Sequence, residues 1–405
     1  MSAAGAPPVV IVGAGLAAWT TARELRKLDA AVSIALVTRD NGDFYAKPTL
    51  SNAFGQKRSP DQLVTTAAAT MVQNLGVTLR AHTTVTSIDT AAQTLTMEHG
   101  GTSDVLAYGQ LVLATGANPI RIPMQGDAAK AVQSVNHLDD FRRFHAELSA
   151  LLPRADGQPH CVLVIGGGLI GCEFANDLLQ AGYAVHVVDP ASGPLAALLP
   201  AAAAEQLRQA LQDLGVVWHW GATVQTLQAA AAGAHRFVGT LSDGTSVAAD
   251  AVISAVGLRA DTALAIQAVL ACARGVLVDA HLQTSAPGVY ALGDCAQYAS
   301  AGGRTLPYVM PIMHAARALA ATLAGTPTEL VFPLMPVAVK TPAMPITVAA
   351  PHPDVQGSWT LDPATEGAAE GGAWRFVDVD GAQRGFVLTG KQCSRRMEWT
   401  KATVP

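Results

Sequence analysis

Val9-Val10-Ile11-Val12-Gly13-Ala14-Gly15-Leu16-Ala17-Ala18 and Val162-Leu163-Val164-Ile165-Gly166-Gly167-Gly168-Leu169-Ile170-Gly171 repeat one pattern within a single chain of 405 residues. Each is a short apolar run, then Gly-x-Gly-x-x-Gly or Ala, then helical spacing. In such a run the first glycine permits a tight turn and the second lets the backbone approach a pyrophosphate. The third position lets helix and strand pack closely. The helix N-terminus then offers free N–H groups and a positive dipole end to the phosphates. One such run is weak evidence, because any tight turn collects glycines. Two runs, each in strand–turn–helix context, imply two dinucleotides on one polypeptide and electrons passing between them.

Composition agrees with buried parallel sheets: 50% of residues are hydrophobic and 14% charged. The net charge of −5 argues against nucleic acid or an anionic membrane as the main partner. No basic n-region precedes the first strand, and Gly, Pro and charges interrupt every apolar stretch long enough to consider as a span, so the chain reads as cytoplasmic. The five cysteines, Cys161, Cys172, Cys272, Cys295 and Cys393, are odd in number and widely spaced. They form no disulfide framework and no CxxC pair, and no metal-ligand spacing is present.

The spacing predicts an α/β fold of two Rossmann-like dinucleotide-binding domains and a small α+β C-terminal domain. The first unit runs through a strand at Val9–Val12, a helix near 16–27 and a strand near 33–37, followed by a turn-rich region over 44–60. Antiparallel strands are expected over 75–97, and a short strand at 111–114. A polar stretch around 125–139 reads as a crossover. The second unit has strands at 161–165, 184–188, 216–220, 236–242 and 251–255, with helices at 171–181 and 196–214. The predicted boundaries are 1–123 with 261–325 for a discontinuous first domain, 124–260 for the second and 326–405 for the third, which carries a loose loop at 366–372.

The acid ending the second strand sets nucleotide preference. Asp189, after Val187-Val188, lies about twenty residues beyond the glycines, where a carboxylate accepts from ribose hydroxyls and repels a 2′-phosphate. No arginine follows it in Pro190-Ala191-Ser192-Gly193-Pro194, so NADH is expected rather than NADPH. In the first unit Thr38 stands at the corresponding position, followed by Arg39 and Asp40. Tandem Trp218 and Trp220 read as packing or surface residues, and His82, His137, His186, His219 and His314 show no metal spacing.

Together with Leu113-Ala114-Thr115-Gly116 and Val289-Tyr290-Ala291-Leu292-Gly293-Asp294, the two fingerprints resemble the two-dinucleotide-binding-domain flavoproteins, the FAD-dependent pyridine nucleotide reductases with a glutathione-reductase-like fold. The resemblance covers about residues 9–325. Tyr45-Ala46-Lys47-Pro48-Thr49-Leu50-Ser51, Gly171-Cys172-Glu173-Phe174-Ala175-Asn176-Asp177, Tyr308-Val309-Met310-Pro311 and Val339-Lys340-Thr341-Pro342 are similar to the branch whose members reduce rubredoxin, a small one-electron iron protein. On that resemblance FAD occupies the first site, with Gly13, Ala14, Gly15, Leu16, Ala17, Thr38, Arg39, Lys47, Pro48, Val85, Ala114, Thr115, Gly116, Gly293, Asp294, Val309 and Lys340 around it. NADH occupies the second, with Gly166, Gly168, Leu169, Ile170, Gly171, Glu173, Asp189 and Gly257. Lys47 and Glu173, from opposite fingerprint domains, are expected to meet beside the flavin and nicotinamide as the catalytic pair, positioning rather than reacting. The helix starting at Val309 is expected to aim its positive end at the flavin.

The cysteines narrow the implied activity. Disulfide reductases of this family pass electrons through cysteines beside the flavin, whereas this chain has none before Cys161. Electrons are therefore expected to leave FAD directly for a protein carrier, in a chain serving alkane hydroxylation or an oxygen-stress response. Alternatives are a [2Fe–2S] ferredoxin reductase of an oxygenase system and a slow-turnover NADH- and FAD-binding signalling flavoprotein. Lys391, Arg395, Arg396 and Lys401 are candidates for steering an acidic partner.

Overall fold

A computed structural model describes residues 7–231, 235–367 and 371–404, so three positions of the loop expected at 366–372 lie outside the described residues. The chain clusters into two compact units.

The first unit comprises residues up to Ala46, then Val64–Asn118 and Leu258–Phe332. Its centre is a five-stranded parallel sheet in the order Val289–Ala291, Gln110–Leu113, Val9–Val12, Ile34–Val37, Thr78–Arg80. The three central strands are near-continuous apolar runs with almost every residue buried, as a parallel sheet covered on both faces requires. The helix Leu16–Leu28 buries Trp19, Ala22 and Leu25, at helical spacing, against this sheet. It ends where Asp29 turns extended, and the Asp29 carboxylate accepts from the N–H groups of Ala31 (2.8 Å) and Val32 (2.9 Å). Arg26, in the last turn, donates to the carbonyls of Leu75 (2.8 Å) and Ala30 (2.8 Å). The expected antiparallel segment is divided. Residues Ala68–Leu75 form a helix and Thr78–Arg80 the parallel edge strand, while the meander is Thr84–Asp89, Thr94–His99 and Thr102–Ala107.

The second unit comprises Lys47–Leu63, Pro119–Gly257 and residues from Pro333 onward. A four-stranded parallel sheet runs in the order Val216–Trp220, Ala184–Asp189, Cys161–Ile165, Ala251–Ser254. A five-stranded antiparallel sheet of Val337–Val339, Ile346–Ala349, Gln383–Thr389, Ala373–Asp378 and Gly357–Leu361 forms the C-terminal portion. Within the stretch expected to be a polar crossover and beyond it lies a helix, Leu138–Ser149. Its Leu138, Phe141, Phe144 and Leu148 are buried, and Asp140 accepts from the N–H of His137 (3.2 Å) at its start.

Residues 47–63, assigned from sequence to the first domain, belong to this second unit. The cause is local. Phe54 packs among Phe141, Phe144, His145 and Tyr183, and the N–H groups of Phe54 and Gly55 donate to Asp177 at 2.9 and 2.8 Å.

Candidate functional site

In the first unit the glycine turn adopts the geometry its spacing requires. Gly13 has φ +121°, and a Cβ there would sit 2.3 Å from the Ala114 carbonyl oxygen. Its N–H donates to the Val37 carbonyl (2.8 Å), and the Ala114 N–H donates to Val12 (2.9 Å), so Gly13, Ala114 and the sheet are held together. Gly15 is the N-cap of the helix that Leu16 and Ala17 begin. It supplies no capping side chain, and a Cβ on it would meet nothing within 4 Å. A helix end with unmatched N–H groups facing open space is what a dinucleotide pyrophosphate needs.

The surrounding residues close the cradle on the same sheet ends. Thr115 Oγ1 donates to the Asp261 carbonyl (2.8 Å), and Gly116, at φ +75°, also borders open space. Thr38 does not act alone. Its Oγ1 donates to Asp40 Oδ1 (2.8 Å), which also accepts from the Gly42 N–H (2.9 Å), so a carboxylate stands two residues beyond the position that Thr38 occupies. Arg39 is exposed and reaches Asp261 at 3.5 Å. Val85 lies half-buried on the meander strand paired with Met97. Gly293, at φ +82°, and Asp294 form a short 3₁₀ turn. Tyr298, fully buried, accepts from the Gly293 N–H (2.7 Å) and donates to its carbonyl (3.2 Å), and burial pushes its phenol well above the usual range. The helix Val309–Leu323 starts at Tyr308 with no side-chain cap, leaving its first N–H groups available.

The second glycine turn is more constrained. Gly166 has φ +109°, with Ala255 oxygen 2.7 Å from a would-be Cβ; at Gly171 the Gly166 oxygen would lie at 1.9 Å. Gly168 caps the helix Leu169–Gln180 without a side-chain partner and borders open space, like Gly15. Asp189 closes its strand as expected. Its Oδ2 accepts from the Gly167 N–H (2.6 Å) and its Oδ1 from the Ala191 N–H (2.7 Å), which pins the glycine loop and leaves further lone pairs for a ribose. Gly257, at φ +106°, ends the unit's central portion, and Ile170 is partly exposed at the helix start.

The same helix carries the charged centre. Glu173 is fully buried. Its Oε2 accepts from Ser51 Oγ (2.6 Å) and from Lys340 Nζ, and its Oε1 accepts from the Lys340 backbone N–H (2.9 Å). Lys340 Nζ also donates to Ser51 Oγ (2.9 Å), closing a three-membered network. The Lys340 side chain keeps 29% exposure against 0% for Glu173, so the buried anion presents its cation outward. Sequence alone paired Glu173 with Lys47 across two domains. The structure gives Glu173 the partners Ser51 and Lys340, and places Lys47 and Pro48, on the 3₁₀ segment Lys47–Asn52, in the same unit. One turn on, Asp177 holds the Phe54–Gly55 backbone, and burial raises its carboxyl above the ordinary range. Ser51 lies in the Lys-Pro-x-Leu-Ser run, and Asp177 lies four residues after Glu173. Both signals are present in sequence, without a role attached.

All five cysteines are free thiols. Cys172 donates to the Gly167 carbonyl (3.3 Å), and burial pushes its thiol far above the range of a reactive cysteine; burial raises Cys161 to about 12. Of the C-terminal cations, Arg395 is engaged by Glu398 (2.9 Å) and Asp362 (3.5 Å) and lies over the Trp399 ring. No group of metal-ligating residues and no helix long and apolar enough to cross a membrane occurs among the described residues.

Residues 7–321 match the family model described as pyridine nucleotide-disulphide oxidoreductase, and residues 329–403 match that described as rubredoxin binding C-terminal domain. The chain is 40% identical to the Rubredoxin-NAD(+) reductase of Alcanivorax borkumensis, over 97% of this chain and 98% of that protein. It is 36% identical to the Nitric oxide reductase FlRd-NAD(+) reductase of Aliivibrio fischeri, over 95% of each. Its fold is similar to a putidaredoxin reductase solved in covalent complex with putidaredoxin (TM-score 0.85, 24% identity, 98% of this chain and 92% of that one). Near-full-length similarity at this level, on top of two glycine cradles of matching geometry, places the chain: it belongs to the pyridine nucleotide-disulphide oxidoreductase family.

Proposed function

We propose that this chain is an FAD-dependent reductase that oxidises NADH and hands the electrons to rubredoxin, working in the cytoplasm. The observation that carries the proposal is the match of residues 329–403 to the rubredoxin-binding model, in a chain whose cysteines are all free and, for Cys161 and Cys172, held protonated. FAD, when bound, supplies the conversion of a two-electron hydride donor into one-electron transfers.

The residues present fit that cofactor. Gly13–Ala17, Ala114–Gly116 and Gly293–Asp294 would hold FAD, with Thr38, Arg39 and Val85 toward its adenosine end. The uncapped start of the Val309 helix would stabilise negative charge on the ring. Gly166, Gly168–Gly171, Asp189 and Gly257 would hold NADH, with Asp189 disfavouring a 2′-phosphate by charge. Lys47 and the Glu173–Lys340 pair would orient the reacting end of NADH; a fixed ion pair does this without forming a covalent bond to substrate. Thiol chemistry is disfavoured because the nucleophile would have to be a thiolate.

Anaerobic titration of the FAD-loaded protein with NADH and with NADPH tests the first half of this reading. NADH should bleach the visible flavin absorbance with one equivalent, and NADPH should do so at least about tenfold more slowly, the factor that 1.4 kcal/mol of discrimination gives. Equal rates would overturn the assignment of Asp189. The relatives carry names that specify rubredoxin and FlRd as the partner of the NAD(+) reductase, and the downstream enzyme of this chain, an alkane hydroxylase or part of an oxygen-stress response, would be set by its carrier.

A further inference from the structure

Trp220 stands beside the second glycine cradle in a way that the sequence did not signal. It ends the edge strand Val216–Trp220, directly opposite Asp189 in the parallel register. Residues so paired on neighbouring strands project to the same face of a sheet, so Trp220 shares the face of the carboxylate that closes the glycine loop. A Cβ built on Gly167 would lie 2.8 Å from Trp220 Cζ3 and 3.3 Å from the Asp189 Cβ, so the indole covers the backbone of the loop itself. Trp218 stacks behind it, with ring centroids 4.6 Å apart and planes 18° from parallel, and is anchored through Nε1 to the Arg208 carbonyl (3.3 Å). Trp220 Nε1, by contrast, is buried and has no acceptor among the described residues.

With the pyrophosphate of a dinucleotide at the start of the Leu169 helix and its ribose on Asp189, its adenosine half extends outward from Asp189 across the edge strand. Trp220 is the side chain waiting there. We propose that Trp220 forms the wall of the adenosine subsite, carrying the adenine on its ring system with Trp218 as a rigid backing. It is a positioning and specificity residue for the nucleotide half remote from the chemistry. The proposal rests on the assignment of NADH to this cradle.

The test uses the FAD-loaded protein and two fragments, ADP-ribose (the adenosine half) and nicotinamide mononucleotide (the reacting half), with affinities from calorimetry. Trp220→Leu should weaken ADP-ribose binding about tenfold, the scale of one base–aromatic stack, and leave nicotinamide mononucleotide unchanged. ADP-ribose should also quench tryptophan emission, and Trp220→Phe, which keeps a ring in place if the leucine variant does not fold, should abolish that quenching. Unchanged ADP-ribose affinity in Trp220→Leu, or quenching that persists in Trp220→Phe, overturns the proposal. Failure of the unsubstituted protein to bind ADP-ribose overturns the NADH assignment itself, and Trp220's role with it.

Discussion

Removing the ammonium of Lys340 while keeping its chain length, as in Lys340→Met, exposes what the buried centre is worth. At an effective dielectric constant near 20, the gross attraction of an ion pair such as Lys340–Glu173 is about 4 kcal/mol. Desolvation costs several kcal/mol per ion, so the pair itself contributes little net stability. Removing one partner is a different matter, because Glu173 is 0% exposed and has no water to turn to. Breaking a buried pair typically costs about 3–5 kcal/mol. The Ser51 hydroxyl and the Lys340 backbone N–H remain on the carboxylate, which places this case at the lower end, about 3 kcal/mol. For a cooperative unit of this size that corresponds to a fall in Tm of about 6–12 °C. Glu173→Leu combined with Lys340→Met should recover most of the loss, giving a coupling of about 2 kcal/mol in a double-mutant cycle. Scanning calorimetry of the FAD-loaded protein measures all four corners. A single-variant fall below about 2 °C, or strict additivity, would refute the reasoning by showing that the pair is solvated.

Further outcomes separate the two cradles and the edge of the second sheet. Gly13→Ala places a methyl 2.3 Å from the Ala114 oxygen at φ +121°, so the purified protein should lack flavin absorbance while the NAD-side fold persists. Gly171→Ala meets the Gly166 oxygen at 1.9 Å; it should keep its FAD and raise the KM for NADH by roughly ten- to a hundredfold, as 1–3 kcal/mol of overpacking implies. His186 and His219 stack with centroids 5.2 Å apart, and burial depresses both, His186 further through His219. The folded state therefore binds fewer protons than the unfolded chain. The associated stability is fully present above the ordinary histidine range near about 6.5 and is lost as pH falls through the lower folded values. His219→Gln should shrink the drop in Tm between pH 7.5 and 5, and an unchanged drop would exclude the pair as its source.

Much of the fold was legible because its signals are local and repeated. The runs at Val9 and Val162 announce buried parallel strands by having no polar alternation, and Gly13 and Gly166 make turns that any other residue would strain. Asp189 was legible for the same reason, since it closes a strand at a fixed distance from a glycine turn. What sequence did not supply are contacts between segments far apart in the chain. Ser51, Glu173 and Lys340 meet across 122 to 289 residues, and no periodicity encodes that meeting, so the contacts of Ser51 and Lys340 with Glu173 were not legible. The placement of residues 47–63 failed likewise. Its Phe54 docks on the Leu138–Ser149 helix, which lies almost wholly beyond the crossover read at 125–139 and was not assigned, because Asp139, Asp140, Arg142 and Arg143 mask the apolar spacing of its buried face. Trp220 was read as a packing or surface residue, and its significance comes only from register with Asp189.

Delivery of electrons to a one-electron iron protein is the central claim. Stopped-flow mixing of the anaerobically NADH-reduced protein with rubredoxin, and separately with a [2Fe–2S] ferredoxin, tests it most directly. The account predicts rapid reduction of two rubredoxins per flavin with return of the oxidised flavin spectrum, and ferredoxin reduction slower by at least about a hundredfold, the factor given by 2.7 kcal/mol of discrimination. Reduced flavin that persists in the presence of rubredoxin, or that reoxidises faster with ferredoxin, would contradict it.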